Sequence, residues 1–184
     1  RTVTVGTGAV AITFNDPLVT GGNTITTCVG NAPIAISGFP SVPGGTWSTV
    51  SGSGLSVSGS AAVFTGDANN LTATTPHVFR YSVTSGGCSG TKDLNAFVKD
   101  NQAAPVVTGL PLLACPDSNL SLSATVNQAG TYTYEWYQSG LTTPFANTSS
   151  ITYKVIGSEA LTVKSLNSFG CLSSATVANI ISPF

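Results

Sequence analysis

The order Cys–Trp–Cys occurs twice along the 184-residue chain and constrains the fold more than any other feature. The tryptophan follows the first cysteine by 19 positions in one set and by 21 in the other. The second cysteine follows the first by 60 and by 56 positions. This agreement predicts an internal repeat of two similar structural units. The members of the two sets are Cys28, Trp47 and Cys88, and then Cys115, Trp136 and Cys171.

Alternating apolar residues, the mark of strands with one buried face, recur around these positions. Tyr134 and Trp136 would share the inner face of one strand, and Glu135 its outer face. No window has the spacing of an amphipathic helix. Short strands combined with Cys–Trp–Cys spacing are typical of an immunoglobulin-like sandwich, so the sequence predicts an all-β chain of two tandem immunoglobulin-like β-sandwiches. The alternating runs cover 34–36, 79–83, 94–98, 120–124, 161–165 and 177–181.

The boundary between the units is expected at residues 100–105, a polar stretch that ends in a proline. Proline cannot donate a ladder hydrogen bond, which favours a short, fairly stiff linker. We therefore predict one sandwich over 1–100 and a second over 101–184. The first should carry extra N-terminal strands, because apolar residues also alternate over 3–5 and 10–14. These strands either complete the first sandwich or add to the edge of a neighbouring copy.

Composition excludes several classes of function. Charged residues make up 7% of the chain and the net charge is −1, against roughly 25% charged residues in an ordinary soluble domain. No basic stripe exists for nucleic acid, and no apolar run approaches the roughly 20 residues that span a bilayer. The start at Arg1, without a signal-like segment, is typical of a mature or excised piece. Four cysteines in a hydroxyl-rich chain favour an oxidising, extracellular compartment.

Two stretches resemble the Ig-like and PKD-like repeats of large secreted, adhesin-type cell-surface proteins of Bacteroidota. One stretch comprises Gly44-Gly45-Thr46-Trp47-Ser48 and the segment 81–89 that contains Cys88, and the other comprises 132–137 and Gly170-Cys171. The resemblance implies an exported protein at the cell surface. It carries over no catalytic residue, because such modules serve as spacers, stalks, adhesive tips and accessory domains.

Four cysteines allow three pairings, and we expect Cys28–Cys88 and Cys115–Cys171, one disulfide in each unit. Each would close a loop of about 55 to 60 residues and contribute about 4 kcal/mol in the chain-entropy account. A four-cysteine metal site and a redox pair are the competing interpretations. Both usually contain Cys-x-x-Cys spacing, which the chain lacks.

Catalytic residues are not expected, so the chain is predicted not to be an enzyme and to need no cofactor. The single histidine, His77, is interpreted as an exposed residue at the start of a strand. Glu135 and Glu159 are too separated in the predicted fold to act as a glycosidase pair. No nucleophile elbow with a base is present.

Two weaker binding interpretations remain open. Asp67, Asn69 and Asn70 cluster in one predicted loop and could hold calcium, although such residues are also common in turns, so no metal site is predicted. Tyr137 is the best candidate for an exposed aromatic ring that stacks on a sugar.

The leading prediction of function is a non-catalytic structural or adhesive segment of an extracellular cell-surface protein or filament. The alternative is a carbohydrate-binding accessory module of a secreted hydrolase. Expected partners are other copies or neighbouring domains of the same surface protein, and surface glycans. Nucleic acid and membrane insertion are not expected.

The strand phase around the second tryptophan can be tested by mutation. Trp136→Ala should cost about 3–5 kcal/mol of the free energy of unfolding, because a large buried ring is lost. Glu135→Ala should change it by less than about 0.5 kcal/mol, because an outer-face residue is replaced. Urea denaturation of both variants measures the contrast. Equal losses would mean that the register is misassigned.

Overall fold

The computed structural model describes residues 9–72 and 74–182. The chain divides into two compact units, Arg1–Asp100 and Asn101–Phe184, and this division falls at the expected boundary. Each unit consists of two β-sheets with an apolar core of its own. The regular structure of the described residues is β-strand apart from one 3₁₀ turn at Ile36–Gly38. The predicted all-β class is therefore confirmed.

The first unit contains seven described strands arranged in two sheets. One sheet has the order β1-β7-β6-β3 and the other β2-β5-β4. Antiparallel ladders join the strands of both sheets, except that β1 runs parallel to β7. The strands are β1 Thr24–Cys28, β2 Ile34–Ala35, β3 Thr46–Ser51, β4 Leu55–Ser58, β5 Ala61–Phe64, β6 His77–Ser85 and β7 Cys88–Lys99.

Trp47 lies in the core of this unit, on β3, with 6% of its surface exposed. Its ring centroid is 5.6 Å from that of Phe14 and 5.3 Å from that of Tyr81. The alternation predicted for β6 and β7 buries Phe79 and Leu94 completely. Residues of both sheets thus meet around the aromatic side chains, as in a sandwich.

The run 10–14 packs inside the first unit. Ile12 and Phe14 are buried in its core, and the Val10 N–H donates to Ser89 O at 3.2 Å. The predicted regular strand is not formed, because the hydrogen bonds of this run go first to β7 and then to the loop around Pro40. The run predicted over 3–5 lies outside the described residues.

The first strand after Cys28 is shorter than the alternation over 34–36 indicates. β2 has two residues and is followed at once by the 3₁₀ turn, in which the Phe39 N–H donates to Ile36 O at 3.2 Å. This turn buries both Ile36 and Phe39. Residue 36 therefore reaches the core from a turn rather than from a strand, and apolar alternation alone does not distinguish the two.

The second unit contains six strands in two sheets, ordered β10-β12-β13 and β11-β9-β8. Trp136 on β10 is fully buried at its centre, and its indole N–H donates to Thr148 O at 2.9 Å. Tyr134 is buried on the same face, while Glu135 and Tyr137 lie on the other. The strands are β8 Val106–Thr108, β9 Asn119–Thr125, β10 Tyr132–Gln138, β11 Ser150–Lys154, β12 Glu159–Asn167 and β13 Thr176–Ile180.

Residues 102–105, expected to be part of a short, fairly stiff linker, instead make hydrogen bonds to the second sandwich. Gln102 is buried, and its side-chain amide donates to Cys171 O at 2.8 Å and to Ser165 O. Pro105 O accepts a hydrogen bond from the Thr176 hydroxyl. Polar side chains at a domain boundary resemble a linker in sequence, but here they satisfy backbone groups of the second sandwich.

Two fragments of the second unit test its independence and the role of Gln102. The fragment 101–184 should unfold cooperatively in the presence of reductant, because it contains a complete core. The fragment 103–184 lacks Gln102, leaves Cys171 O without this donor, and should lose roughly 1–3 kcal/mol of stability. Urea denaturation followed by tryptophan fluorescence measures both. An unfolded 101–184 fragment would contradict the two-domain fold.

Candidate functional site

The cysteines of the first unit lie at opposite ends of its sheet. Cys28 ends β1 and is paired with Lys99, whereas Cys88 begins β7, 11 residues before Lys99. At a rise of about 3.3 Å per residue, the two cysteines are about 36 Å apart. A disulfide requires Cα atoms within about 7 Å. The predicted Cys28–Cys88 pairing is therefore wrong.

The same separation occurs in the second unit. Cys115 follows Ala114, which donates to Ile181 O beyond the Glu159 end of β12. At the other end of β12, the Asn167 N–H donates to Cys171 O. The two ends of β12, and therefore the two cysteines, are about 26 Å apart. The predicted Cys115–Cys171 pairing is therefore also wrong.

The disulfide-bonded cysteines are Cys28 and Cys171. Cys115 carries a free, solvent-exposed thiol at the start of the turn 115–118, and Cys88 is half-buried. A disulfide is therefore present, as the composition indicated. Sequence spacing identified the repeat but not the pairing.

His77 is buried, which contradicts the exposed position expected from the sequence. Its Nδ1 atom accepts a hydrogen bond from Ser53 N at 3.0 Å, and its Nε2–H donates to Asn70 O at 2.6 Å. A side chain at Gly52 would collide with the ring, and Gly52 has a φ of +87°. Both ring nitrogens therefore hold loop backbone in place, and neither is available as a general base.

The other candidates for chemistry also have structural partners. Glu135 lies opposite Lys164, five residues along β12 from Glu159, so the two glutamates are about 16 Å apart. This exceeds the roughly 5–9.5 Å between glycosidase carboxylates. Asp67 Oδ1 accepts from Asn69 N, and Asn70 Oδ1 accepts from Asp67 N, both at 2.7 Å.

These hydrogen bonds are turn contacts, typical of Asp and Asn in loops. Within 9–72 and 74–182, no group of three or more His, Cys, Asp or Glu side chains is placed to hold a metal ion. The same residues include no helix with the length and hydropathy needed to cross a bilayer.

A groove of about 520 Å³ lies on the outer face of the β10-β12-β13 sheet. Its floor is one row across the sheet, in which Thr162 pairs with Tyr137 on one side and with Val177 on the other. The turn 139–142 forms one wall. Leu141 and Val177 are more than half exposed, at 54% and 55%. The groove therefore combines exposed apolar surface with the hydroxyl groups of Ser139, Thr142 and Thr162. The side-chain amide of Gln138, on the opposite face of β10, donates to the Tyr153 hydroxyl at 2.7 Å instead.

Tyr137 is the fixed element of this groove. Its hydroxyl donates to Glu135 Oε2 at 2.6 Å, and this bond raises the pKa of the phenol, because the acceptor carboxylate favours the protonated form. The Lys164 ammonium lies 5.6 Å from the centroid of the ring. The ring is thus held in one orientation beside a positive charge.

The groove can bind a ligand but has no groups arranged for bond chemistry. A positioned base would have to come from His77 or a carboxylate, and His77 belongs to the other unit and is hydrogen-bonded there. The volume falls within the roughly 300–1,000 Å³ of small-molecule sites. Sequence analysis identified Tyr137 but missed Lys164, which only the ladder register places beside it.

No model of a protein family matches the chain, and no curated protein matches it either. Among solved structures, fibronectin(III)-like modules of Clostridium thermocellum CbhA align with a TM-score of 0.54 and 14% identity, over 94% of each chain. Murine CEACAM1b aligns with a TM-score of 0.45 and 11% identity, covering 94% of this chain and all of the other. The first likeness supports tandem β-sandwiches of this class and shows the fold alone.

The revised cysteine assignment has a chemical test. Cys115 should react with Ellman's reagent in the native, non-reduced chain, because its thiol is exposed and unbonded. Cys115→Ser should lower the native thiol count by one. A native chain with no reactive thiol, or an unchanged count in the variant, would contradict the free thiol at Cys115.

Proposed function

We propose that this chain is a non-catalytic structural or adhesive segment of an extracellular cell-surface protein or filament. The observation that carries the proposal is that the histidine and the best-placed carboxylates are engaged in structural contacts. His77 holds two loops, Glu135 fixes a tyrosine, and Asp93 pairs with Arg80 at 2.7 Å. The proposed function therefore depends on the shape and the surface contacts of the two sandwiches.

The covalent and surface chemistry support an extracellular location. Disulfides persist in oxidising compartments and are rare in the cytosol, and Cys28 and Cys171 are disulfide-bonded. With charged residues at 7%, the surface depends on serine and threonine for solubility. Neighbouring copies can then approach closely without strong mutual repulsion.

The resemblance to Bacteroidota surface repeats gives this proposal its cellular setting. A cell-surface stalk or adhesin of that kind has neighbouring domains of the same protein, or other copies, as its first partners. Surface glycans are the second class of partner. The tight packing of run 10–14 into the first core favours completion of that sandwich within the chain over donation of this run to a neighbour.

A second candidate function, the accessory carbohydrate-binding module of a secreted hydrolase, is favoured by one observation. The groove around Tyr137 offers a fixed aromatic ring among hydroxyl groups. The two functions differ in their setting, because an accessory module is joined to a catalytic domain, whereas a stalk is joined to further repeats.

Surface labelling tests the leading proposal. Antibodies raised against this chain should stain intact, unpermeabilised cells of the source organism, and external protease should remove the signal. A cytosolic protein of the same cells serves as the control for lysis. Staining that appears only after permeabilisation would contradict the proposal.

A further inference from the structure

We propose that the groove around Tyr137 binds an acidic polysaccharide, with a sugar ring on the aromatic side chain and a carboxylate or sulfate on Lys164. The inference rests on the adhesive role proposed above and specifies its site and ligand class. The groove brings an aromatic ring and a cation together, with the Lys164 ammonium 5.6 Å from the centroid of the Tyr137 ring.

The ring of Tyr137 suits a sugar because its orientation is fixed before a ligand arrives. The 2.6 Å hydrogen bond to Glu135 ties down the hydroxyl, and the ladder partner Thr162 supports the backbone. A flat aromatic ring offers a large apolar area at low conformational cost. The C–H face of a pyranose ring is flat and weakly polar and can cover such an area.

The groups around the ring match the hydroxyls of a sugar. The hydroxyls of Ser139, Thr142 and Thr162 line the groove, and each can both donate and accept a hydrogen bond. A peptide-binding groove would need deeper apolar pockets for side-chain anchors. The exposed apolar groups here are Val177 on the floor and Leu141 on one wall, and they form no deep pocket.

Charge decides in favour of an acidic ligand. Lys164 is the only charged residue in the groove lining, in a chain that has six lysines and arginines in all. The nearest carboxylate, Glu135, already accepts the Tyr137 hydroxyl and does not line the groove. A cation–π contact at an exposed site is worth about 0.5–1 kcal/mol, so a ligand anion offers the ammonium a stronger partner.

Purified protein and matched ligands test the inference. A glycan array with uronate and sulfate oligosaccharides should identify binders, and calorimetry should compare oligogalacturonate with its neutral methyl ester. Lys164→Gln should weaken binding of the acidic ligand about tenfold and leave the weak binding of the ester unchanged. Tyr137→Ala should weaken both ligands by about tenfold or more, whereas Tyr137→Phe keeps the ring and should stay within about threefold.

Lys154→Gln is the matched control, because it removes the same charge from the same unit. Lys154 lies on β11 in the other sheet, where it pairs with Asp117 at 2.8 Å. Circular dichroism of every variant should give the unfolding midpoint of the wild type.

Three results would overturn the inference: no acidic binder on the array, equal binding of acid and ester, or equal effects of the two lysine variants. Self-association that Tyr137→Ala abolishes would assign the groove to a second copy instead. The surface-labelling experiment is independent of these results. The proposed structural role can therefore be correct even if the groove does not bind an acidic polysaccharide.

Discussion

The burial of Trp136 is the constraint on which the outer surface of the second unit depends. A strand turns successive side chains to opposite faces, so the indole in the core forces Glu135 and Tyr137 outward. The seven-residue ladder with β12 then sets Lys164 opposite Glu135 and Thr162 opposite Tyr137. The groove is therefore a consequence of core packing. A shift of β10 by one residue would turn Trp136 to the outer face and Tyr137 into the core.

Polar residues without charge have a second role in this chain, which is to satisfy buried backbone. The Gln102 amide donates to Cys171 O, and the Thr72 hydroxyl donates to Val98 O and accepts from Val98 N. His77 does the same for two loops. These contacts explain how loops can be held tightly with few ion pairs. An unpaired buried backbone group would cost about 1–3 kcal/mol at each position.

Periodicity predicted the long strands well, because β6, β10 and β12 each bury one face against a core. It failed where a residue reaches the core from irregular backbone, as Ile36 does in the 3₁₀ turn and Ile12 does before β1.

The prediction of the disulfide pairing failed for a different reason. The order Cys–Trp–Cys along the sequence does not determine which end of a strand each cysteine occupies. Here the expected partners lie at opposite ends of a strand, one full strand length apart. Neither Lys164 beside Tyr137 nor the burial of His77 leaves a signal in local sequence, since both depend on pairing between distant segments.

The parallel pairing of β1 with β7 has a mechanical consequence for a chain that is pulled from its ends. In this ladder Thr24 lies opposite Asn95 and Cys28 opposite Lys99, so tension applied at Thr24 and Lys99 draws the two strands past each other along their length. The hydrogen bonds between them then carry the load together and must break almost at once. Among the described strands of the second unit, the first, β8, pairs antiparallel with β9, and the last, β13, belongs to the other sheet. Tension on the ends of that unit would therefore load two different sheets, and the parallel ladder of the first unit would resist the same force along its whole length.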